Sequence, residues 1–418
     1  MLFLVTMSSI IDSLHNTHCW IVADSDLLQS LRNQTPLVRG KRGSKLALLF
    51  SVTDKDLVFS FLLVIVGCIE FTRLWLRQYK SKQTAYTSLP NHFFVGFGAG
   101  AEEKIYQEYY SNHNSLVGRL DQTDTSTFGS WHRCGYFHGV KELLLATRQV
   151  LSLINQLPHE LKSRRVDLLT FACMRIGLYS YMRAWFTECV NRSNSELEFA
   201  FLSPDTPAFA AVGLPLTTRF LQHGLIRHSL VLPQFKFIEA LTADEKRYFQ
   251  NRLPWSQVNL VECPAFNQVE LSSCVLITSI YGSMQLLALI APFLEWAYSN
   301  GLQIVVRPHP KERHEFWEKY EEVGMLSVDR RADSFESSLK RLRPCIVASW
   351  FSTTLAESLQ YGILPVTVCD PESADITDIV YPFLKRSVQW PKGKARVEDA
   401  LSDKGEYQKL IQDLRQGL

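Results

Sequence analysis

The second half of the chain alternates short apolar runs with longer stretches in which apolar and polar residues mix. The short runs predict strands, and the longer stretches predict helices, the clearest being 284–300, which Gly301 ends in the position of a helix stop. The predicted strands lie at 275–278, 304–306, 325–328, 346–347 and 364–368. Strands that alternate with helices of this length predict a parallel sheet.

The first half of the chain shows the same alternation less regularly. Its predicted strands lie at 19–23, 46–52, 197–202, 217–221, 235–238 and 258–263, with another beginning at Phe93. Residues 111–130 have few apolar positions and predict a loop over a cleft. A chain of 418 residues is long enough for two domains. We therefore expect an α/β protein with domains at 1–264 and 265–418, and we place the linker at 264–270.

One apolar segment, 57–69, has thirteen residues without a charge, and Arg73, Arg77, Lys80 and Lys82 follow it. A helix that spans a bilayer needs about 20 apolar residues, so a run of this length favours a core helix or an interfacial helix. In the interfacial case the basic residues would lie at anionic headgroups. We expect a membrane-surface contact here, and a spanning helix stays an alternative.

Charge and cysteine content exclude several classes of function. The formal net charge is +2 and no basic run is present, so no nucleic-acid partner is expected. The nine cysteines form no CxxC pair and their number is odd, which favours a reducing compartment over disulfides or a zinc site. The sequence DSD at 24–26, with two acidic residues, follows a predicted strand and is typical of a helix cap, so we expect no metal in the reaction.

Polar clusters follow the predicted strands of the second half. Such clusters matter because ligands of open α/β sheets bind beyond the carboxyl ends of the strands. Hydroxyl groups and free backbone N–H groups at a helix N-terminus suit an anion, most often phosphate. The sequence therefore predicts a nucleotide-phosphate site. Its candidate residues are Gly282, Arg307, His309, Ser349, Ser352, Thr353 and Thr354.

Two turns of the first half carry further candidates. The strand from Phe93 runs into Gly96, Gly98 and Gly100, a spacing that fits a tight turn as well as a ligand loop and differs from the dinucleotide fingerprint. The strand at 217–221 runs into the triplet Gln222, His223 and Gly224. We expect Gly98, Gly100, Gln222 and His223 to line a cleft.

Several motifs together resemble a known family. RPHP at 307–310 is followed about forty residues later by Ser349, Ser352 and Thr353, QHG stands at 222–224, and CPAFN stands at 263–267. This set resembles bacterial GT-B sialyltransferases, polysialyltransferases and Kdo transferases of capsule and lipopolysaccharide biosynthesis. The resemblance covers residues 197–381. It implies a GT-B-like fold, with two Rossmann-type domains whose parallel sheets face a central cleft.

In that family, the residues matching His309, Ser352, Thr353 and Thr354 hold the phosphate of a CMP-sugar, and a carboxylate at the place of Glu357 binds the donor ribose. The implied reaction moves sialic acid or Kdo from a nucleotide donor to a surface glycan or glycolipid, without metal and without a cofactor. His309 would stabilise the leaving phosphate.

The reaction also needs a catalytic base that takes the proton of the acceptor hydroxyl. The acidic motif of the family is not recognisable here, so two carboxylates stay open, Asp205 in the turn SPDTP and Glu102 after the glycine turn. We prefer Asp205. The expected location is the cytoplasm, at the inner face of the cytoplasmic membrane, where a lipid-linked acceptor would lie. The alternatives are a sugar-nucleotide 2-epimerase, a polyol-phosphate transferase or a non-catalytic glycan-assembly protein.

Overall fold

The structure is a computed structural model. It describes residues 56–80, 90–97, 102–113, 116–122, 124, 126–155, 165–193, 195–222, 232–261, 272–278, 284–308, 315–331, 334–350, 352–368 and 386–416. The chain divides into two compact units. Each unit is built around one six-stranded sheet.

The sheet of unit 1 has the strand order β2-β1-β3-β4-β5-β6. Its strands are β1 (His92–Gly96), β2 (Val117–Asp121), β3 (Glu198–Phe201), β4 (Thr217–Leu221), β5 (Phe237–Ala240) and β6 (Gln257–Leu260). The pairings of β1 with β2 and β3, of β3 with β4 and of β4 with β5 are parallel. Strand order reverses between β1 and β3, as it does in flavodoxin-like sheets.

The helices before β6 are α1 (Asp56–Arg77), α2 (Glu103–Ser111), α3 (Ser126–Trp131), α4 (Tyr136–Asn155), α5 (Arg165–Arg192), α6 (Thr206–Ala211) and α7 (Ala243–Arg252). Helices α1, α4 and α5 pack against one another. At Gly67 of α1 an added Cβ would lie 2.6 Å from Leu143 and 3.0 Å from Ile176, so the absence of a side chain there allows the close approach of the three helices.

The sheet of unit 2 has the order β12-β11-β10-β7-β8-β9. Its strands are β7 (Ser272–Thr278), β8 (Gln303–Arg307), β9 (Ser327–Val328), β10 (Pro344–Ser349), β11 (Leu364–Val368) and β12 (Val388–Trp390). All their pairings are parallel. Counted within this unit, the order is 3-2-1-4-5-6, which is the Rossmann order. The strand order reverses between β7 and β10.

The remaining helices are α8 (Met284–Ser299), α9 (Glu315–Glu322), α10 (Phe335–Leu342), α11 (Thr353–Gln360), α12 (Lys394–Ser402) and α13 (Lys404–Gln416). Helix α8 stops as predicted, with Gly301 at φ +68°. The core of unit 2 is the buried apolar set of β7, β8, β10 and β11, which explains why these strands read as continuous apolar runs.

The predicted α/β class with two Rossmann-type parallel sheets is confirmed. The cleft between the two sheets stays a prediction. The predicted strands at 19–23 and 46–52 and the linker at 264–270 lie outside the described residues. Strand β6 ends at Leu260 and β7 begins at Ser272, on either side of the predicted boundary.

The prediction of a loop at 111–130 is wrong. This segment contains β2, which pairs with β1 at the end of the sheet, and most of α3. Strand β2 needs few apolar side chains because it lies at the end of the sheet. Val117 and Leu120 supply its buried apolar side chains, and Gly118 is also buried. A polar segment with two buried apolar side chains does not show the alternation that identifies a strand in a sequence.

Helix α1 extends the predicted apolar segment to 22 residues. Among the described residues, one stretch, Phe59–Arg77, is long and apolar enough to cross a membrane by length and composition. One face of α1 is buried at Phe59, Leu63, Phe71 and Leu74, where the helix packs in unit 1.

Candidate functional site

The carboxyl ends of β7, β8 and β10 bring polar residues to one edge of the unit 2 sheet. Strand β7 ends at Thr278, which pairs in register with Arg307 at the end of β8. Strand β10 ends at Ser349, and α11 follows it directly. Because β7 and β10 are neighbours at the point where strand order reverses, this is the place where α/β sheets open a ligand crevice.

The start of α11 is organised by hydroxyl groups. Ser352 has extended backbone angles and caps the helix, and its Oγ accepts hydrogen bonds from the Thr354 N–H at 3.3 Å and from Thr354 Oγ1 at 2.8 Å. Thr354 Oγ1 also lies 2.6 Å from Thr278 Oγ1. A hydroxyl chain from Thr278 through Thr354 to Ser352 therefore joins the end of β7 to the start of α11.

Thr278 was not predicted as a site residue. Its signal in the sequence is weak, because a threonine at the end of an apolar run is ordinary in a strand. The role depends on the strand order, which puts β7 next to β10 although Thr278 and Thr354 are 76 residues apart.

Ser349 has a different environment from the other predicted hydroxyl residues. Its side chain is fully buried, and its Oγ donates a hydrogen bond to the Thr278 carbonyl oxygen at 2.6 Å. This bond holds the end of β10 to the end of β7. Ser349 therefore fixes the ends of β7 and β10 to each other, whereas Ser352, Thr353 and Thr354 form the start of α11.

Arg307 takes part in an ion-pair network at the end of β8. Its Nη1 donates to Ser338 Oγ and lies 3.5 Å from Asp329 Oδ2, and Arg341 Nη2 donates to the same oxygen at 2.7 Å. Burial opposes ionisation of Asp329, but hydrogen bonds from Arg341 and Ser338 hold the pKa of its carboxyl below the usual range. These contacts fix the direction of the Arg307 side chain.

Glu357 lies four residues after Thr353, so it is on the same face of α11, one turn further along. Its contact with a donor ribose stays a prediction. His309 and Gly282 lie outside the described residues. Their roles stay predictions.

In unit 1, the two candidates for the base follow the carboxyl ends of the neighbouring strands β1 and β3. The two strands pair in register up to Val95 and Phe201, and Glu102 follows β1 while Asp205 follows β3. Asp205 is partly exposed and stands at the N-cap of α6, and its Oδ2 accepts a hydrogen bond from Ser203 Oγ at 2.7 Å.

Glu102 is buried, and its Oε1 accepts a hydrogen bond from the Phe97 backbone N–H at 2.6 Å. A Cβ added at Gly96 would lie 2.2 Å from Oε2 of Glu102. The carboxylate can therefore approach this closely only because residue 96 is a glycine. Glu102 therefore has a structural role at the end of β1. Glu102 and Asp205 are brought to the same edge of the sheet, but only Asp205 is partly exposed there.

Of the predicted cleft residues, Gln222 follows β4 at this same edge and is buried, and its backbone N–H donates to the Glu239 carbonyl oxygen at 3.2 Å. Gly98, Gly100 and His223 lie outside the described residues.

A cavity of about 400 Å³ lies in unit 2, lined by Leu241, Thr242, Ala243, Asp244, Leu260, Val261, Ala356, Leu359, Gln360, Arg386 and Arg415. Its central charges are paired, because Arg386 Nε and Nη2 donate to the two carboxylate oxygens of Asp244 at 2.7 and 2.8 Å. None of the predicted site residues that the structure describes lines it. The paired charges and this lining do not suit a phosphate group.

No family model matches the chain, and no curated protein matches it. The UDP-GlcNAc 2-epimerase from Neisseria meningitidis, bound to UDP-GlcNAc, is similar to it with a TM-score of 0.45 and 12% identity, over 78% of this chain and 97% of that one. The S. aureus MnaA–UDP structure has a TM-score of 0.45 and 8% identity, over 77% and 90%. The wall teichoic acid polymerase TagF has a TM-score of 0.41 and 10% identity, over 86% and 91%.

These neighbours have the GT-B fold. At such identities and TM-scores, no residue role passes from them to this chain.

Proposed function

We propose that the protein is a glycosyltransferase that binds the phosphate of a nucleotide sugar at the start of α11. One observation carries this proposal, the hydroxyl chain of Thr278, Thr354 and Ser352 at the reversal point of the unit 2 sheet. The first backbone N–H groups of a helix have no partner within the helix and favour an anion. Fixed hydroxyl groups beside them need no reorganisation when charge develops on a leaving phosphate.

The proposed donor is a CMP-linked sialic acid or Kdo, and the proposed acceptor is a surface glycan or a lipid-linked glycan. Asp205 is the proposed base. Its partial exposure at the end of β3 supports this role, whereas Glu102 is buried and held by the Phe97 N–H. His309 is proposed to stabilise the leaving phosphate. The reaction uses no metal in this scheme, because hydroxyl and N–H donors supply the stabilisation.

The protein is also proposed to bind the inner face of the cytoplasmic membrane. An exposed apolar stripe on α1 supports this membrane contact. We define this outer apolar stripe as Phe61, Ile65, Ile69 and Leu76. Phe61, Ile69 and Leu76 are 64%, 62% and 55% exposed, and the four residues fall on one side of the helix, opposite the buried face. Arg73 and Lys80 are exposed near the end of α1 and suit anionic headgroups.

A panel of nucleotide sugars tests the proposed reaction. Purified protein is incubated with CMP-sialic acid, CMP-Kdo, several UDP-sugars and CDP-glycerol, with and without glycan acceptors. Transfer or donor hydrolysis supports a transferase, and the productive donor identifies the sugar. Interconversion of a UDP-sugar without acceptor would show an epimerase, transfer of glycerol phosphate would show a polyol-phosphate transferase, and no turnover with any donor would favour an assembly protein.

Binding measurements on variants then test the phosphate site. Thr354→Val removes one hydroxyl of the chain at nearly constant volume and should weaken binding of the productive donor. Thr187→Val is the matched control, because the Thr187 hydroxyl donates to the Arg183 carbonyl oxygen at 2.8 Å inside α5 of unit 1. Equal donor affinity in the two variants would contradict the proposed phosphate site.

A further inference from the structure

Two histidines and a glutamate meet at the amino end of the unit 1 sheet. His92 begins β1, Glu198 begins β3, and His113 follows the end of α2. One ligand atom from each of the three side chains lies within 4.8 Å of the others. This edge of the sheet is opposite the edge that carries Asp205, because His92 and Glu198 are the first residues of strands whose carboxyl ends lead to the proposed base.

The sheet and α2 together place the three side chains on the same face of the sheet. His92 and Glu198 are register partners in neighbouring parallel strands, so their side chains point to the same face of the sheet. Phe94, two residues further along β1, packs on that face against Tyr109 of α2. The end of α2 thereby brings His113 over the sheet, with its ring centroid 4.2 Å from that of His92.

The orientation of His113 is the one that metal-binding histidines show. Its Nδ1 lies 2.6 Å from the Tyr109 carbonyl oxygen, so Nδ1 carries the proton and Nε2 presents a lone pair. Nε2 is 3.9 Å from Glu198 Oε1. Among the residues that the structure describes, Nδ1 of His92 is buried and has no hydrogen-bond partner. A buried ring nitrogen without a partner costs free energy unless a ligand satisfies it.

The surrounding charges favour a cation. Arg219 donates to Glu198 at 2.9 and 3.2 Å and to Glu239 Oε1 at 2.7 Å, so one guanidinium stands between two carboxylates. Arg219, Glu198 and Glu239 together therefore carry one net negative charge. Tyr109 Oη also donates to Glu198 Oε1 at 2.8 Å, which fixes the carboxylate as second-shell hydrogen bonds do in metal sites.

We propose that His92, His113 and Glu198 form a Zn²⁺ site that ties α2 to β1 and β3. Two imidazoles and one carboxylate are a known zinc ligand set, with water in the fourth position. Ligand bonds of about 2.0–2.2 Å require ligand atoms about 3.3–3.5 Å apart in a tetrahedron, so the two rings turn inward when the ion binds. The site lies at the edge of the sheet away from the proposed base, so its expected effect is on the attachment of α2 to the sheet.

This site has no signature in the sequence. The two histidines are separated by α2, and Glu198 is far along the chain, so no short motif with ligand spacing exists. The parallel pairing of β1 with β3 brings the ligands together. The proposed transfer reaction does not use the ion, so the failure of one proposal leaves the other standing.

Zinc titration of the full chain tests the site. After dialysis against a chelator, the wild-type protein should bind one Zn²⁺ per chain with micromolar or tighter affinity, measured by calorimetry, and its Tm should rise by several degrees. His113→Ala should lower the zinc affinity at least tenfold and remove the rise in Tm. His138→Ala is the matched control, because His138 is a partly buried histidine of α4 that lies 3.6 Å from Glu188 and 3.8 Å from Glu142.

Substitution with Co²⁺ gives a second readout that does not depend on stability. The wild-type protein and His138→Ala should show the visible absorption of a four-coordinate cobalt site with nitrogen and oxygen ligands, and His113→Ala should not. Equal zinc affinity in wild type and His113→Ala would overturn the proposal. So would the absence of stoichiometric zinc binding in the folded wild-type protein.

Discussion

The hydroxyl oxygens of Thr278 and Thr354 lie 2.6 Å apart, although 76 residues separate them in the chain. Thr278 ends β7 and Thr354 belongs to the first turn of α11, so this hydrogen bond crosses the reversal point of the unit 2 sheet. The Thr354 hydroxyl also donates to the helix cap Ser352. The bond thereby couples the position of the helix start to the end of a different strand.

Thr278→Val should weaken binding of the nucleotide sugar about three- to tenfold, because a neutral hydrogen bond contributes about 0.5–1.5 kcal/mol. The variant keeps the volume of the side chain but leaves Thr354 Oγ1 without this partner. Thr278→Ser keeps the hydroxyl and should bind the donor nearly as well as the wild-type protein. Calorimetric donor affinities, with Tm measured on the same samples, separate a loss of binding from a loss of folding. Unchanged affinity in Thr278→Val would exclude a role of the hydroxyl chain.

The sequence predicted five of the six strands of unit 2, all except β12, and the hydroxyl cluster at α11, because both are local patterns. An apolar run followed by Ser352, Thr353 and Thr354 identifies a strand end and a helix cap without knowledge of the rest of the fold. The contact of Thr278 with Thr354 could not be predicted, because it depends on the order of strands in the sheet. The contact of Arg307 with Asp329 could not be predicted either, because Asp329 follows a different strand.

For a similar reason, the sequence does not show which of two carboxylates is the catalytic base. Asp205 and Glu102 both follow strands, and their sequence contexts do not distinguish them. The difference lies in burial: Glu102 folds back onto β1, where it accepts a hydrogen bond from the Phe97 N–H and lies against Gly96. Only a glycine leaves room for this arrangement, so the glycine turn has a packing role that the spacing of its glycines did not indicate.

Substitution of these two carboxylates should give opposite results. Asp205→Asn should lower turnover about 10²–10⁴-fold with donor affinity and Tm nearly unchanged, because a general base contributes about that much and the amide keeps the shape. Glu102→Gln should lower Tm, because it weakens a buried hydrogen bond to a charged acceptor, which contributes about 1.5–3 kcal/mol. Kinetics and melting curves on both variants decide the assignment. Wild-type turnover in folded Asp205→Asn would remove it from the mechanism.

The ion-pair network of Arg307 should make unit 2 sensitive to acid. The pKa of Asp329 is lowered in the folded protein from its usual value of 3.8, so its ionised form stabilises the fold above that value, and the contribution is lost as the pH falls through the folded pKa. Asp329→Asn should destabilise the protein at pH 7 by about 1.5–3 kcal/mol, because it removes the charge that Arg341 and Arg307 contact.

The difference in unfolding free energy between wild type and Asp329→Asn should stay constant above about pH 5 and shrink below about pH 4, since the carboxyl of the unfolded chain titrates with the ordinary pKa of Asp, about 3.9. Denaturant unfolding at several pH values measures this. Asp399→Asn is the control, because Asp399 is exposed on α12. A difference for Asp329→Asn that does not change between pH 7 and pH 3 would contradict the assigned ion pairs.

The outer apolar stripe of α1 should carry membrane binding. The triple variant Phe61→Ser, Ile65→Ser, Ile69→Ser should lower partitioning onto vesicles that contain phosphatidylserine about a hundredfold or more, because burial of each such side chain contributes about 1.5–3 kcal/mol. Its Tm should change little, since these residues lie opposite the face of α1 that packs in unit 1. Val323→Ser is the matched control, as Val323 is an apolar residue of unit 2 that is 74% exposed.

Vesicle composition and salt separate the two contributions to this binding. The basic residues at the end of α1 should make the wild-type protein prefer vesicles with phosphatidylserine over neutral ones, and Arg73→Gln with Lys80→Gln should reduce that preference. Salt at 1 M shortens the screening length to about 3 Å and should remove the preference while the apolar contribution persists. Flotation of the protein with vesicles measures each case. Equal binding of the triple variant and Val323→Ser would show that the outer apolar stripe does not contact the membrane.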